Sequence, residues 1–221
     1  SLASAGSDWV EIFVMDAETK TLLSDHIKWV KFSGASWTRD GRGFYYSAYD
    51  APKAGDAVYS AQNSNQKVYF HRLGTTQEED ILIFEDKKNP LHYHYGDESE
   101  DGKWQFITSS AGTSGTQILY KRTSERKWRV LFKGFDYDYG ILDCHNDELL
   151  VITNENAPNY RLVGVNLLTG KKCDIIPEGE SLLESVGMAG EYLFAEYLID
   201  AQSKIFQYDR KGNLVREVEL P

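Results

Sequence analysis

The chain has 221 residues, 13% of them aromatic, and a formal net charge of −10 from 34 acidic and 24 basic residues. Because nucleic-acid affinity depends largely on clustered lysine and arginine, this acidic balance argues against a nucleic-acid partner. No apolar run approaches the roughly 18 residues that a membrane span needs, which argues against a membrane partner as well.

Two cysteines, Cys144 and Cys173, are too few for a disulfide framework. They fall on different predicted strands of one repeat, so a bridge stays open, but two buried free thiols are the preferred interpretation. The first residues, SLASAGSDWVEIFVMD, lack the positive and apolar regions of a signal peptide. They suggest an excised piece of a longer chain and do not distinguish a cytoplasmic from a periplasmic location.

The predicted elements, taken along the chain, are β-strands arranged in a repeating phrase of strand, polar corner and strand. Each corner carries Gly, Thr, Ser or charged residues, which suit a hairpin reversal. The phrase occurs as VEIFVMDAETKTLLS (10–24), QKVYFHRLGTTQEEDILIFE (66–85), TQILYKRTSERKWRVLFK (116–133), YRLVGVNLLTGKKCDII (160–176) and KIFQYDRKGNLVREVEL (204–220).

A second hairpin phrase is interleaved with the first and is centred on turns near Gly41, Gly102, Asp147 and Gly190. Together the two phrases give four antiparallel strands per repeat of roughly 40 to 50 residues, which is typical of a β-propeller blade. The sequence therefore predicts an all-β fold, a partial β-propeller with about four four-stranded blades and one outer hairpin. The predicted limits are 9–24 for the hairpin and 33–85, 91–134, 138–178 and 185–221 for the blades.

Two features of this arc stay open. The C-terminal strands could complete the first hairpin and close a small ring, although an arc of a larger ring is preferred. Residues 48–66 form a long irregular insertion that could serve as a binding or gating loop, or could simply be flexible. Exposed faces of the end blades would make self-association plausible.

No catalytic constellation is apparent in the sequence. The nearest approach to the nucleophile elbow G-x-S-x-G is Gly112-Thr113-Ser114-Gly115, which fails because Thr116 replaces the last glycine. His92 and His94 alternate along a predicted strand and could bind zinc with help from Asp97 or Glu98. A polar inner strand is the preferred interpretation, and no catalytic residue, metal or cofactor is predicted.

Four segments of the sequence indicate a particular family, which the architecture alone does not. GSDWV (6–10), VKFSGASWTRDGRGFYYSAYDAP (30–52), NQKVYFHRLGTTQEEDIL (65–82) and APNYRLVGVN (157–166) resemble, in the same order, the propeller of the prolyl oligopeptidases. The resemblance implies a seven-bladed propeller that caps an α/β-hydrolase domain with a Ser-Asp-His triad and admits short peptides, which are cleaved after proline. The chain corresponds to the middle blades and lacks the hydrolase domain, so it is expected to be inactive alone. Its expected partners are that domain and short proline-containing peptides.

The resemblance also implies residues that line the substrate chamber. The Phe of VKFSG is Phe32, and an apolar position before the next Asp-Gly turn is Tyr93. A third position falls near Gly112, and this departure from the family pattern puts a contribution of that loop in doubt. Both Phe32 and Tyr93 could instead be ordinary strand residues.

Two other functions compete with this interpretation. A free-standing propeller scaffold could bind a protein or peptide, although WD40 and kelch signatures are missing. A propeller from a glycosidase or lyase would need clustered acids or histidines on inner strands, and these are not evident. Fold alone does not separate the three.

Overall fold

The computed structural model describes residues 1–3, 8–51 and 63–219. In these ranges the regular structure consists of β-strands and one short 3-10 helix, Gln77–Glu79. None of the described helical structure is long and apolar enough to cross a membrane. The predicted all-β fold is confirmed.

The chain divides into two compact units. Unit 1 comprises Ser1–Glu98, Gly102–Thr113 and Ile118–Leu131, and unit 2 comprises Ser99–Asp101, Ser114–Gln117 and Phe132–Pro221.

Unit 1 contains a seven-stranded antiparallel sheet and most of a four-stranded one. The strands of the first are β1 (Leu2–Ala3), β2 (Trp9–Met15), β3 (Leu22–Lys31), β4 (Ser36–Trp37), β5 (Gly43–Ala48), β6 (Lys67–Arg72) and β7 (Ile81–Glu85), in the order β1-β2-β3-β5-β6-β7 with β4 on β5. The strands of the second are β8 (Tyr93–Glu98), β9 (Trp104–Ser110), β10 (Thr116–Arg122) and β11 (Arg129–Phe132), in the order β11-β10-β9-β8.

Strand β5 is the centre of unit 1, since all six of its residues are buried. Phe44, Tyr46 and Ala48 pack against residues of β2 and β3 in one core cluster. Ser47, on the opposite face, donates a hydrogen bond to the backbone of β8. Strand β3 joins β5 through a single residue pair, Val30 with Ala48, so the β2–β3 hairpin mainly covers a face of the β4–β7 strands.

Unit 2 contains two four-stranded antiparallel sheets in which each strand pairs with the next along the chain. Their strands are β12 (Tyr139–His145), β13 (Glu148–Thr153), β14 (Arg161–Asn166), β15 (Lys172–Ile176), and β16 (Leu182–Ala189), β17 (Tyr192–Ile199), β18 (Gln202–Asp209), β19 (Leu214–Val218). A shared core that includes Leu150, Leu162 and Leu193 holds the two sheets together. Because side chains alternate along a strand, Tyr192 and Leu198 of β17 lie on the other, exposed face. The predicted self-association stays a prediction.

The predicted turn residues show the backbone conformation that tight hairpins require. Gly41, Gly102, Asp147 and Gly190 all have positive φ, between 57° and 67°. A positive φ suits the right-handed twist of a hairpin and is easiest for Gly and Asp. The partial-propeller prediction is confirmed at the level of sheets and turns, while the blade limits stay predictions.

The prediction that both cysteines are buried free thiols is confirmed only in part. Both cysteines are free thiols, but only Cys144 is buried, and its burial raises its pKa to about 12. Cys173 is exposed, so its predicted burial was wrong: it lies near the start of strand β15, which has buried residues only toward its other end.

The insertion predicted at 48–66 lies largely outside the described residues, since 52–62 are not described.

Candidate functional site

The two residues that the resemblance singles out are brought together in unit 1. The ring centroids of Phe32 and Tyr93 are 5.7 Å apart and the rings are nearly perpendicular, at 88°. This edge-to-face arrangement is a favourable one for aromatic pairs. Phe32 keeps 50% of its surface exposed, so the pair presents an apolar face to solvent.

Buried polar side chains fix the backbone on both sides of this pair. The Gln66 amide is almost fully buried; it donates to the carbonyl of Lys31 at 3.1 Å and accepts from the N–H of His94 at 2.7 Å. Ser47 donates from its hydroxyl to the carbonyl of His94 at 2.5 Å. Lys31 precedes Phe32 and His94 follows Tyr93, so Gln66 ties the chain beside one ring to the chain beside the other.

A second aromatic group, which sequence reasoning missed, lies beside the first. The ring of Trp9 is 5.9 Å from that of Trp29 and 5.8 Å from that of Tyr49, at 84° and 83° respectively. The N–H of Tyr49 donates to the carbonyl of Trp29 at 3.0 Å. The available signal was their place in the sequence: Trp29 directly precedes the VKFSG segment, and Trp9 and Tyr49 lie within two of the segments that carry the resemblance.

Lys31 connects the two groups. Its Nζ atom lies 5.5 Å from the centroid of Trp9 and 5.1 Å from that of Phe32, within the range of cation–π attraction. It also pairs with the exposed carboxylate of Asp8 at 3.3 Å. We call the set Trp9, Trp29, Lys31, Phe32, Tyr49 and Tyr93 the aromatic cluster.

The electrostatics of the aromatic cluster favour neutral hydroxyl groups. Burial raises the pKa of Tyr49 to about 12, and the neighbouring hydroxyls of Tyr93 and Tyr95 add to the effect. Burial and Tyr93 likewise raise the pKa of Tyr95. The hydroxyls of Tyr49 and Tyr95 therefore stay protonated at physiological pH and can donate hydrogen bonds. The cluster offers apolar contact, a few hydrogen-bond donors and one lysine cation, which suits binding rather than bond cleavage.

His94, one of the two histidines considered as zinc ligands, has another partner. His94 is buried, its Nδ1 lies 2.8 Å from the hydroxyl of Ser109, and burial lowers its pKa to about 4. Asp97 accepts a hydrogen bond from Ser36, and Glu98 accepts one from Tyr45. Across the described ranges, no three or more His, Cys, Asp or Glu side chains are grouped so that they could hold a metal ion. The geometry fits the interpretation of a polar inner strand.

The third implied chamber position contributes no side chain. Gly112 is exposed in the loop before β10, and a Cβ atom built on it would have no neighbour within 4 Å. The segment from Gly112 to Thr116 leads into a strand, whereas a nucleophile elbow leads into a helix.

Comparison with known proteins decides the family. A family model described as the prolyl oligopeptidase N-terminal β-propeller domain matches residues 1–221. The chain belongs to the prolyl oligopeptidase family. This confirms the resemblance seen in the four sequence segments.

Individual family members agree over nearly the whole chain. A prolyl endopeptidase of Elizabethkingia miricola is 39% identical over 225 residues, which cover 100% of this chain and 32% of that protein. The solved structure of prolyl oligopeptidase B from Galerina marginata, bound to a 35mer hydrolysis and macrocyclization substrate, has a TM-score of 0.87 at 29% identity and covers 96% of this chain and 32% of its own. A structure from an analysis of two prolyl endopeptidases has a TM-score of 0.86 at 33% identity, covering 98% and 31%. The chain thus spans about a third of the length of these relatives.

Proposed function

We propose that this chain is the propeller part of a prolyl-specific serine oligopeptidase, in which it caps the active site and admits short peptides. The proposal is supported by the family assignment and by prolyl endopeptidase relatives that match the chain from end to end. Catalysis takes place in an α/β-hydrolase domain of the same full-length protein, by acyl transfer through a seryl intermediate. The propeller acts as a filter and lid, which governs access rather than chemistry.

Phe32 and Tyr93 line the side of the propeller that meets the peptide. The observation that carries this assignment is their edge-to-face contact at 5.7 Å, with Phe32 half exposed although it is a large apolar residue. A half-exposed aromatic pair with a fixed backbone offers contact area at low entropic cost, as expected of a surface that binds peptide side chains. Lys31, next to Phe32, supplies a cation that can interact with peptide carbonyl groups.

The hydrolysis of a proline-containing fluorogenic peptide tests the proposal. The 221-residue chain should show no turnover above background. The longer product of the same gene should cleave after proline, and a serine-directed inhibitor should abolish that cleavage. Turnover by the chain alone that the same inhibitor abolishes would overturn the division of roles.

A longer gene product without proline-specific cleavage would also overturn the proposal and would favour the free-standing scaffold. The matched control is the same peptide with alanine in place of proline, which the longer product should leave uncleaved. Because both substrates share the fluorophore and length, the difference between them isolates the preference for proline.

A further inference from the structure

Two aromatic residues, one in strand β3 and one directly after its end, adopt a backbone conformation that bulky side chains rarely adopt. Trp29 has φ of 61° and Phe32 has φ of 54°. A positive φ is uncommon outside Gly, Asn and Asp, and backbone strain of this kind is often associated with binding sites. The role proposed for Phe32 gives no reason for the same conformation at Trp29.

A β-bulge explains how Trp29 acquires its orientation. Strand β2 pairs Val10 with Val30 and Ile12 with Ile27, so the two β3 residues between those pairs face one β2 residue. Bulges re-aim side chains. Ile27 and Val30 both stay fully buried in the core, while Trp29 remains partly exposed.

The bulge places Trp29 in a surface continuous with the Phe32–Tyr93 pair. Trp9 contacts Trp29, and Lys31 lies against both Trp9 and Phe32. All of these residues belong to unit 1. An extended peptide that contacts Phe32 would therefore meet the indoles of Trp9 and Trp29 further along.

The chemistry of this surface selects its ligand. Aromatic surfaces bind cations or flat apolar rings, but the Lys31 ammonium already lies against the rings of Trp9 and Phe32, so the chain itself supplies the cation that these rings attract. Aromatic-lined grooves are the usual recognition surface for proline-rich segments, which are already extended and lose little entropy on binding. We propose that Trp29 and Trp9 form a platform for a proline ring in the peptide, separate from the residue at which cleavage occurs. This inference rests on the proposed function, since it assumes a peptide ligand.

The test is a titration of the 221-residue chain with a capped proline-rich dodecapeptide, and with a matched peptide in which alanine replaces every proline. The Trp29 indole N–H resonance, assigned by its loss in Trp29→Gly, should shift with the first peptide and not with the second. Trp29→Gly should weaken binding at least fivefold and Trp29→Phe less than twofold. Glycine is the informative replacement because it accepts the positive φ of the bulge while it removes the ring.

Two controls keep the result interpretable. Trp37→Gly removes a half-exposed indole outside the aromatic cluster and should leave the affinity unchanged. If Trp29→Gly does not fold, as judged by its thermal transition, the comparison of Trp29→Leu with Trp29→Phe replaces it, with weaker binding expected only for leucine.

Three outcomes would overturn the platform. Equal affinity for the two peptides would remove the preference for proline, and no binding of either at millimolar concentration would remove the site. Binding that Phe32→Ala weakens but Trp29→Gly does not would exclude Trp29 and leave the proposed role of Phe32 standing. In each case the hydrolysis assay decides the proposed function independently.

Discussion

The buried amide of Gln66 accepts a hydrogen bond from the backbone N–H of His94 at 2.7 Å. Its nitrogen donates to the carbonyl of Lys31. Gln66→Met keeps the length of the side chain but leaves both backbone groups without these partners. We expect the free energy of unfolding to fall by about 2–6 kcal/mol, since each of the two unsatisfied buried polar groups costs about 1–3 kcal/mol. Urea denaturation measures this change.

The matched control for Gln66 is Gln202→Met, which makes the same replacement at an exposed strand position. It should change the free energy of unfolding by less than about 0.5 kcal/mol, as is usual at surfaces. Equal effects of the two variants would show that Gln66 does not tie the two chain segments together.

His94 should make stability depend on pH. Burial lowers its pKa in the folded state to about 4 from an ordinary value of 6.5, against a smaller opposing effect of Asp86 and with a further contribution from His92. The unfolded chain therefore binds more protons between these two values, so stability falls as the pH is lowered through this window. From pH 7.5 to pH 4.5 this residue should cost about 2–3 kcal/mol of folding free energy.

The variant His94→Asn isolates that contribution, because asparagine can still bond to Ser109 but does not titrate. Urea denaturation at the two pH values should give a smaller loss of stability for this variant than for the parent chain. His145→Asn, at an exposed position, should retain the full loss. A parent chain and His94→Asn with the same dependence on pH would contradict the account.

Two glycines that both have positive φ, Gly41 at 67° and Gly115 at 76°, should differ sharply in their tolerance of alanine. A Cβ atom at Gly115 would lie 1.9 Å from the carbonyl oxygen of Phe135, whereas one at Gly41 would meet nothing within 4 Å. Gly41→Ala should cost about 1–2 kcal/mol, the usual penalty for a left-handed residue. Gly115→Ala should cost a further 1–3 kcal/mol or so for overpacking. Thermal unfolding compares them, and equal shifts would rule out the close approach to Phe135.

Substitutions in one buried hydrogen-bond network of unit 1 should be among those that destabilise the protein most. The two ring nitrogens of His71 lie 3.0 Å from a carboxylate oxygen of Asp25 and 2.7 Å from one of Asp80. Asp25 also accepts from the N–H of Gly74. Asp25→Ala should lower the free energy of unfolding by about 2–5 kcal/mol, because it leaves a buried ring nitrogen of His71 and the N–H of Gly74 without their hydrogen-bond partner.

The control for this network is Asp174→Ala, which breaks a partly exposed pair with Arg161. Pairs of that kind contribute about 0–1 kcal/mol. If Asp25→Ala proved as mild as Asp174→Ala in urea denaturation, the network would not hold β3 to the corner between β6 and β7.

The sequence predicted features that depend on local chain chemistry. Gly41 and Asp147 mark hairpin turns because their residue types tolerate positive φ, and the structure confirms it. The strands followed from their aromatic and β-branched content between such turns. Phe32 and Tyr93 were named through resemblance to a family, and the structure adds that their rings touch.

Features that depend on pairing between distant segments were missed. The bulge at Trp29 is a property of two strands in register, so the sequence of β3 alone does not show it. The network of Asp25, His71 and Asp80 likewise joins residues that come together only after the sheet has formed. Cys173 was expected to be a buried thiol, but it lies at the end of strand β15 that faces solvent.

In the proposed function, Phe32 and Tyr93 face the peptide in a longer prolyl peptidase. The most direct test is kcat/KM of the full-length enzyme for a short proline-containing peptide, compared between wild type and Phe32→Ala. We expect kcat/KM of Phe32→Ala to fall roughly tenfold, equivalent to about 1.4 kcal/mol of binding, through a higher KM. Phe13→Ala, at a part-exposed phenylalanine outside the aromatic cluster, should leave it unchanged. An unchanged kcat/KM in Phe32→Ala would contradict the account.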